Sequence, residues 1–260
     1  MRRKKRVKTM KNKPELSLVM PTYNEADNIE EVVNRVDRVV KQTGLKYELI
    51  VVDDGSMDGT RTKAINCADN NSHIKVIGYG INTGKGYAIK TGFAHATGDA
   101  VVFMDSDLDI DPKQIIRYIE ALKHGDIVIA SKWHPQSSVE IPLMRRFLSH
   151  SYNVLVKLLT GIRLKDTQTG LKAVRRQVLE KVFSRLTVKR YAFDAELLAV
   201  ANLYGLKVVE LPVTIRLRSL FNFKDVWKMF LDLLGIAYRL RISKYYQSLR
   251  PLVLQEKELS

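Results

Sequence analysis

The residues best suited to chemistry are four aspartates at alternate positions of one short stretch. They are Asp105, Asp107, Asp109 and Asp111. The apolar run Val101–Met104 before them is typical of a buried strand, so its end presents carboxylates that repel one another. A hard divalent cation with oxygen ligands relieves that repulsion, and we expect one to bind Asp105 and Asp107. For Asp109 and Asp111, a solvated acidic turn before a helix that begins near Pro112 explains the sequence equally well.

Three further polar loops come directly after apolar segments. The segments that we interpret as strands are Glu15–Met20, Tyr47–Val52 and Ile74–Tyr79, and the loops after them begin at Pro21, Asp53 and Asn82. An amphipathic helix with apolar residues at helical spacing follows the first loop. This alternation of strand, loop and helix predicts an α/β fold with a mostly parallel sheet covered by helices. Because parallel strands end at the same edge of a sheet, we expect all four polar loops to line one ligand site.

Composition and charge restrict the class of protein. A chain of 260 residues with 45% hydrophobic content buries a substantial core, and its formal net charge of +15 indicates an anionic partner. Nucleic acid, an anionic membrane and a phosphorylated substrate all satisfy that requirement. The one cysteine, Cys67, excludes an internal disulfide and predicts a reduced, cytoplasmic protein. The sequence shows no secretory signal and no apolar run of about 20 residues, so we expect no transmembrane helix.

The chain divides into a central domain, two flexible ends and an apolar segment near the C-terminus. Residues 1–14 are predicted to be a basic flexible tail, 15–218 the α/β domain and 247–260 a second flexible tail. Residues 219–246 combine apolar and aromatic side chains with a fringe of arginine and lysine. That pattern predicts amphipathic helices that lie on the cytoplasmic face of a membrane. A helix packed on the domain core is the alternative interpretation.

Several motifs occur in an order that resembles a known enzyme family. Pro-Thr-Tyr-Asn-Glu at 21–25, Val-Asp-Asp-Gly-Ser at 52–56, Gly-Lys-Gly at 84–86 and Asp-Ser-Asp at 105–107 look like an inverting family 2 glycosyltransferase of the GT-A fold. The segments 166–172 and 190–198 are similar to polyprenyl-phosphate hexose synthases. Within that group the chain most resembles the dolichyl-phosphate glucosyltransferases, and the mannosyltransferases are the near relatives.

The resemblance implies a sugar nucleotide as donor, with Mg²⁺ or Mn²⁺ neutralising its diphosphate. The metal ligands that it implies are Asp105, Asp107 and Asp109. The residues that it implies for binding the sugar nucleotide are Pro21, Tyr23, Glu25, Asp54, Lys85, Asp105, Ser106 and Arg218. Arg216 and Lys224 are the alternatives to Arg218 at the diphosphate, and Asp53 is either part of this site or a turn residue.

The acceptor implied by the resemblance is a polyprenyl (dolichyl) phosphate. The ligands implied for its phosphate are Lys132, Arg145 and Ser149, and the last two share one face of a helix predicted over Leu143–Leu159. A phosphomonoester has a second pKa of about 6, so the attacking oxygen needs no strong base. The implied reaction is an in-line attack that inverts the sugar linkage. The implied catalytic residues are Asp105, Asp107, Lys132 and Arg145.

The identity of the sugar stays open. UDP-glucose is favoured and GDP-mannose is the alternative, and the product would serve protein or surface glycosylation. Four polar residues are predicted to shape the sugar or acceptor pocket. They are Asp166, Gln168, Asp194 and Glu196. For Asp194 and Glu196 the alternative is a row of acids at a helix N-terminus.

Two other functions stay in view. One is transfer of sugar to a polysaccharide or glycolipid, and the other is a basic nucleic-acid-binding protein. Acids at the strand ends would repel nucleic acid, so we expect no nucleic-acid partner.

Overall fold

The computed structural model describes residues 13–217 and 223–248. Its strands, in chain order, are β1 (Leu16–Thr22), β2 (Tyr47–Asp53), β3 (Ile74–Gly78), β4 (Ala100–Phe103), β5 (Ile127–Ser131), β6 (Ser138–Glu140), β7 (Lys172–Arg175), β8 (Val208–Pro212) and β9 (Thr214–Arg216). Its α-helices are α1 (Ile29–Lys41), α2 (Thr60–Asp69), α3 (Lys85–His95), α4 (Ile115–Ala121), α5 (Leu143–Thr160), α6 (Arg176–Val182), α7 (Phe193–Leu203), α8 (Phe223–Arg241) and α9 (Tyr245–Ser248).

A seven-stranded sheet forms the centre of the domain, in the order β3-β2-β1-β4-β7-β5-β8. All neighbouring strands are parallel except β7, which runs antiparallel to both β4 and β5. Every residue of β1 and β2 is buried, because helices cover both faces of the sheet, and both strands are mostly apolar as that position requires. The expectation of a mostly parallel sheet covered by helices is confirmed.

Two apolar cores lie on the two faces of the sheet. One contains the buried face of α1, whose residues recur at helical spacing as Ile29, Val32, Val33, Val36 and Val40. The other contains residues of α3, α5, α6, α7 and α8. Alternate residues of β1 serve the two cores, since Leu18 belongs to the first and Val19 to the second. The sheet is thereby held rigidly between two helical layers, with its carboxyl edge available for the site.

The observed strands agree with the predicted ones, with differences at their ends. We predicted that the first strand stops at Met20, but β1 continues through Pro21 to Thr22. Pro21 has no backbone N–H, and it occupies a ladder position opposite Val52 at the end of the strand, where one missing donor costs little. Strands β6, β7 and β9 were not predicted.

The C-terminal helices pack on the domain through one face. Leu233 and Ile236 of α8 are fully buried in the second core, and Tyr152 of α5 donates a hydrogen bond to the carbonyl of Met229 (3.4 Å). Tyr246 of α9 is also fully buried. The predicted boundary between the interfacial helices and the tail at residue 247 therefore falls inside a short packed helix. The predicted tail segments 1–12 and 249–260 lie outside the described residues.

Candidate active site

The acidic segment after β4 is fastened to the end of β1. The Met104 N–H donates to the carbonyl of Val19 (3.2 Å), and the buried Ser106 hydroxyl donates to the carbonyl of Pro21 (3.2 Å). The chain then turns sharply at Leu108, whose φ is 58°, and the Asp109 carbonyl accepts a hydrogen bond from the Arg216 N–H (2.9 Å). The predicted site residues Pro21 and Ser106 thus hold the acidic loop at the carboxyl edge of the sheet.

The charges of two acids in this loop, Asp105 and Asp109, raise the pKa of a third, Asp107. Desolvation of the Asp107 carboxyl, together with the charges of Asp105 and Asp109, raises its pKa well above the usual range. Burial likewise raises the pKa of Glu25, and the charges of Asp109, Asp58 and Asp105 add to this effect. The predicted site residues Glu25, Asp105, Asp107 and Asp109 are therefore within electrostatic range of one another.

Two of the three predicted metal ligands, Asp105 and Asp107, have the donor chemistry that a divalent ion requires. Within residues 13–217 and 223–248, no cluster of three or more His, Cys, Asp and Glu side chains is arranged as a metal site. The predicted set of three carboxylates is thus not arranged as a metal site among these residues. Asp109 is buried, and its N–H donates a hydrogen bond to Oδ1 of Asp107 (3.1 Å). Mg²⁺ and Mn²⁺ suit one or two carboxylates completed by water and substrate phosphates, so Asp105 and Asp107 fit such an ion.

Asp111 has the structural role that its sequence position allows. It is the N-cap of a 3₁₀ turn over Pro112–Gln114, and its carboxylate accepts a hydrogen bond from the Lys113 N–H (2.9 Å). The interpretation of this aspartate as a helix-start acid is confirmed.

The loops after β1, β2 and β3 are held together by side chains that bond backbone groups. Asp54 is buried, and it accepts hydrogen bonds from the Tyr79 hydroxyl (2.7 Å) and from the N–H groups of Thr83 and Gly84 (both 2.8 Å). Asn24, with φ of 53°, accepts a hydrogen bond from the Met57 N–H (3.1 Å). The predicted nucleotide residue Asp54 therefore shapes the loop that leads into α3.

Tyr23 lies on the same rim and is open to solvent. Its side chain is 45% exposed, next to the strand end that carries Pro21. An exposed aromatic ring at this edge provides a surface on which a planar base can stack. The role predicted for Tyr23 in binding the nucleoside stays a prediction.

Lys85, the first residue of α3, lies between two carboxylates. Its Nζ is 2.7 Å from Oδ1 of Asp105 and 3.5 Å from Oδ2 of Asp194. Burial lowers the pKa of Lys85, but the charges of Asp105 and Asp194 outweigh burial and raise it overall, so the side chain is a permanent cation. On its other side, Asp194 Oδ1 is 3.0 Å from Nζ of Lys172, whose side chain is only 1% exposed.

Lys132, the residue after β5, is held in a buried ion pair. Its Nζ is 2.9 Å from Oδ2 of Asp166 and 2.8 Å from Oγ1 of Thr169. Burial acts to raise the pKa of Asp166, but the Lys132 ammonium and the hydrogen bonds from Thr169, Gln168 and the Lys132 N–H together lower it to about 2. The predicted acceptor ligand Lys132 is thus held in place by its contacts with Asp166 and Thr169.

Arg145 lies on the first turn of α5, on the side of the acidic loop. Burial lowers the pKa of its guanidinium, and the nearby charges of Asp109 and Asp107 act in the opposite direction. Ser149 follows one turn later and is half-buried. The predicted helix over Leu143–Leu159 is confirmed as α5 (Leu143–Thr160), and it brings the Arg145 guanidinium near Asp107 and Asp109.

Three residues, Arg216, Arg218 and Lys224, are the predicted alternatives for contacting the diphosphate. Arg216 is engaged with Glu140 in an exposed two-bonded ion pair. Lys224 lies in the first turn of α8, and Arg218 lies outside the described residues.

Comparison with known proteins identifies the family of the chain. Residues 17–183 match the model of the family "Glycosyl transferase family 2". The chain belongs to glycosyltransferase family 2. The match spans β1 to α6, and it therefore includes the acidic loop, Lys85, Lys132 and Arg145.

Relatives of this glycosyltransferase act on lipid phosphates, as their names state. It is 31% identical over 244 residues to a dolichyl-phosphate beta-glucosyltransferase of Trichomonas vaginalis, covering 88% of this chain and 75% of the relative. It is 36% identical over 229 residues to a dolichol-phosphate mannosyltransferase of Pyrococcus furiosus, covering 86% of this chain and 63% of the relative. The chain thus spans less than two thirds of the length of the second relative.

Solved structures confirm the GT-A fold of this family 2 glycosyltransferase. A crystal structure of glucosyl-3-phosphoglycerate synthase from Mycobacterium tuberculosis, in complex with Mn²⁺, UDP-glucose and phosphoglyceric acid, superposes with a TM-score of 0.66. The identity is 20%, over 86% of this chain and 79% of that chain. At this identity the likeness shows the fold alone.

The sequence interpretation of this glycosyltransferase missed two residues next to the site. Lys172 and Gly170 belong to the segment 166–172, which carries part of the family resemblance, but the sequence predicted no role for either residue. Glu196, which we predicted to shape a substrate pocket, is fully buried and accepts hydrogen bonds from the N–H groups of Thr187 and Val188 and from the Tyr246 hydroxyl (2.5 Å). It therefore binds α9 to the segment before α7. The roles of Lys172, Gly170 and Glu196 depend on contacts between segments that are distant in sequence, so no local sequence pattern indicates them.

This glycosyltransferase exposes an apolar surface on two adjacent helices, α5 and α8. The exposed apolar residues of this surface are Leu143, Met144, Phe147, Leu158, Trp227, Leu231, Leu234 and Tyr238. The two helices pack against each other, and Arg241 donates a hydrogen bond to the carbonyl of Leu158 (2.8 Å). In the part of the chain that the structure describes, no helix is both long and apolar enough to pass through a bilayer. We call these eight side chains the α5–α8 apolar surface.

Proposed function

We propose that this family 2 glycosyltransferase moves a hexose from a sugar nucleotide to a polyprenyl phosphate and inverts the sugar linkage. UDP-glucose is the favoured donor and GDP-mannose the alternative. The observation that carries the proposal is the meeting of opposite charges at one edge of the sheet, where Arg145 lies beside the acidic loop of Asp107 and Asp109. A donor that arrives with a cation fits the acids, and a second anion fits the arginine. The names of the relatives support the same reaction.

The donor side of the proposal rests on Asp105 and Asp107. These two carboxylates would hold Mg²⁺ or Mn²⁺, which neutralises charge on the diphosphate leaving group. Lys85 holds Asp105 in place from the other side (2.7 Å), and Asp54 fixes the loop that carries Lys85. Tyr23 and Glu25 are the proposed contacts of the nucleoside, because a ring can stack on the base and a carboxylate can accept its N–H groups.

The acceptor side rests on Lys132, Arg145 and Ser149. An arginine and a serine one turn apart can bind one phosphate through charge-assisted hydrogen bonds. The phosphate oxygen then attacks the sugar as a ready nucleophile, and these residues orient it and balance its charge. Asp166 holds Lys132 in place and is itself fixed, since four hydrogen-bonding groups surround its carboxylate.

The α5–α8 apolar surface is the proposed contact with the membrane that carries the lipid acceptor. Soluble monomers rarely expose a contiguous apolar surface of this extent without a partner. Arg145 and Ser149 lie on α5 itself, so a bilayer that meets this helix brings the lipid phosphate close to both residues. The positive charge of the chain favours an anionic leaflet. In this proposal α8 contributes one half of the surface and α5 the other.

The test is a transfer reaction with two donors. Purified protein is incubated with Mn²⁺, polyprenyl phosphate in lipid vesicles and either radiolabelled UDP-glucose or radiolabelled GDP-mannose. We expect one donor to yield a labelled lipid that mild acid cleaves, and none to form without the divalent ion. If neither donor labels the lipid, or if the label enters only a polymer, the proposed acceptor is wrong.

A further inference from the structure

A line of buried charges runs inward from the donor side of the site. Asp105 contacts Lys85 (2.7 Å), Lys85 lies 3.5 Å from Asp194, and Asp194 contacts Lys172 (3.0 Å). Lys172 is 1% exposed and its Nζ also donates to the carbonyl of Thr169 (2.6 Å). The signs alternate along this line. The charges of Asp105 and Asp194 raise the pKa of Lys85, whereas burial lowers the pKa of Lys172 and the charge of Asp194 acts in the opposite direction.

Lys172 and Asp194 are too deeply buried to contact a substrate. The Asp194 side chain is 6% exposed, and both of its oxygens face lysine ammonium groups. A buried ion pair of this kind stabilises a fold no better than well-packed apolar residues do, because both charges lose their hydration. Stability alone therefore gives no reason for these two charges. A reason for both charges is that Asp194 lies beside Lys85 (3.5 Å), and Lys172 lies beside Asp194 (3.0 Å).

Lys85 divides its charge between two carboxylates at unequal distances. The shorter contact, to Asp105, holds the carboxylate that faces the site, and the longer one, to Asp194, draws the ammonium inward. A divalent ion at Asp105 competes with the Lys85 ammonium for the same oxygens, because two cations repel each other at that distance. The more strongly Asp194 attracts Lys85, the freer Asp105 is to bind the ion.

We propose that Lys172 and Asp194 are positioning residues that set how strongly Lys85 holds Asp105, and thereby how tightly the site binds its divalent cation. The proposal rests on the proposed function only in taking Asp105 as a ligand of that cation. It makes two predictions of opposite sign. Loss of the Asp194 charge leaves Lys85 to Asp105 alone and weakens cation binding. Loss of the Lys172 charge lets Asp194 attract Lys85 more strongly, and cation binding is maintained or strengthened.

The experiment measures Mn²⁺ affinity directly, by electron paramagnetic resonance, with Mn²⁺ alone and with Mn²⁺ and UDP. We expect Asp194→Asn to weaken Mn²⁺ binding by about tenfold, within the usual range of coupling between charged neighbours. Lys172→Met should bind Mn²⁺ at least as tightly as the parent. The matched control is Lys90→Met, which removes another lysine of α3 whose ammonium bonds the carbonyl of Leu186 and contacts neither Asp105 nor Asp194.

The charge-balanced double variant Lys172→Met with Asp194→Asn covers the case in which the single lysine variant does not fold. It lacks Asp194, so we expect it to match Asp194→Asn in Mn²⁺ affinity. Folding of each variant is checked by circular dichroism. Equal loss of affinity in both single variants, or parent-like affinity in a folded variant without Asp194, overturns the proposal, as does a parent chain that binds no Mn²⁺ with or without UDP.

Activity separates this proposal from the proposed function. With polyprenyl phosphate and the active donor, Asp194→Asn should raise the Mn²⁺ concentration needed for half-maximal rate while kcat at saturating Mn²⁺ changes little. A merely structural role would instead lower the folded fraction and leave that concentration unchanged. If the Mn²⁺ affinities follow the predicted pattern but no donor labels the lipid, the positioning role stands and the proposed acceptor is wrong.

Discussion

Gly170 lies directly against the carboxylate of Asp105. A Cβ added to Gly170 would stand 1.9 Å from Oδ2 and 2.5 Å from Cγ of Asp105, so no other amino acid fits while Asp105 keeps its place. Gly170 also follows Thr169, which contacts Lys132 (2.8 Å). Two neighbouring residues thus contact the two sides of the site: Gly170 lies against Asp105 on the donor side, and Thr169 contacts Lys132 on the acceptor side.

We predict that Gly170→Ala moves the Asp105 carboxylate and lowers the transfer rate by about a hundredfold or more, as loss of an aligned electrostatic group does. The overpacking should lower the free energy of unfolding by about 1–3 kcal/mol. Steady-state kinetics and urea unfolding measure the two effects. The matched control is Gly80→Ala, because nothing lies within 4 Å of a Cβ at that position. A fully active Gly170→Ala enzyme would show that Asp105 need not stay where the structure has it.

A second prediction concerns Asp107, whose ionised form the fold disfavours. Asp107→Asn should abolish Mn²⁺-dependent transfer, while the melting temperature stays the same or rises. The reason is that desolvation and the charges of Asp105 and Asp109 raise the pKa of Asp107. A neutral side chain at this position therefore removes its repulsion from the two neighbouring carboxylates. Transfer assays and thermal melts test this pair of effects. Asp111→Asn is the control, since asparagine can also cap the 3₁₀ turn; retained activity in Asp107→Asn would remove the metal role of this residue.

A third prediction separates acceptor binding from donor binding. Arg145→Met should raise the KM for polyprenyl phosphate by about 10- to 100-fold, the range expected for one lost hydrogen bond to a charged group. UDP binding should not change, because Arg145 lies on α5 and not on the nucleotide loops. Arg146→Met is the matched control, as Arg146 is the exposed neighbour on the same turn. Equal effects of both substitutions would point to the general positive charge of the helix and against a specific phosphate ligand.

The sequence allowed the first four strands and their loops to be predicted, because each of them is a mostly apolar run that ends at a polar loop. Leu16–Thr22 and Tyr47–Asp53 are buried at every residue, which is the pattern of a parallel sheet with two covered faces. Asp105 and Asp107 were predicted for the same reason, since they come directly after such a run. Arg145 and Ser149 required the family resemblance, as an exposed helix start explains an arginine equally well.

The residues that the sequence did not reveal depend on contacts between distant segments. Strand β7 inserts between β4 and β5 and runs antiparallel to both, and nothing local to Lys172–Arg175 specifies that position. The partners of Lys172 and Glu196 come from segments far along the chain, Asp194 in one case and Tyr246 in the other. A buried lysine resembles a surface lysine in sequence, because only the fold supplies the burial that lowers the pKa of Lys172 and the Asp194 charge that opposes this effect.

A fourth prediction concerns acid stability. The pKa of Asp166 falls from 3.8 to about 2 on folding, so its contribution to stability is fully present above about pH 4 and is lost as the pH falls toward 2. At pH 7, Asp166→Asn should therefore lower the free energy of unfolding by about 2 kcal/mol, and the difference from the parent should shrink below pH 4. Urea unfolding at pH 7, 4 and 3 measures it, with Asp99→Asn as an exposed control. A difference that grows as the pH falls would contradict the assignment of Lys132 and Asp166 as a charged pair.

The last prediction concerns the α5–α8 apolar surface. Phe147 is 67% exposed and Trp227 is 61% exposed, so glutamate at either position costs the fold little. Insertion of one such side chain into a membrane interface contributes about 1.5–3 kcal/mol, and its loss should weaken binding to vesicles of anionic phospholipid by about tenfold or more. Co-sedimentation with vesicles measures the effect for Phe147→Glu and Trp227→Glu. Ile65→Glu is the control, because Ile65 is an exposed apolar residue on α2, outside this surface. Because UDP binding does not involve the surface, it should be equal in all three variants; vesicle binding that is equal as well would mean that these helices meet another partner.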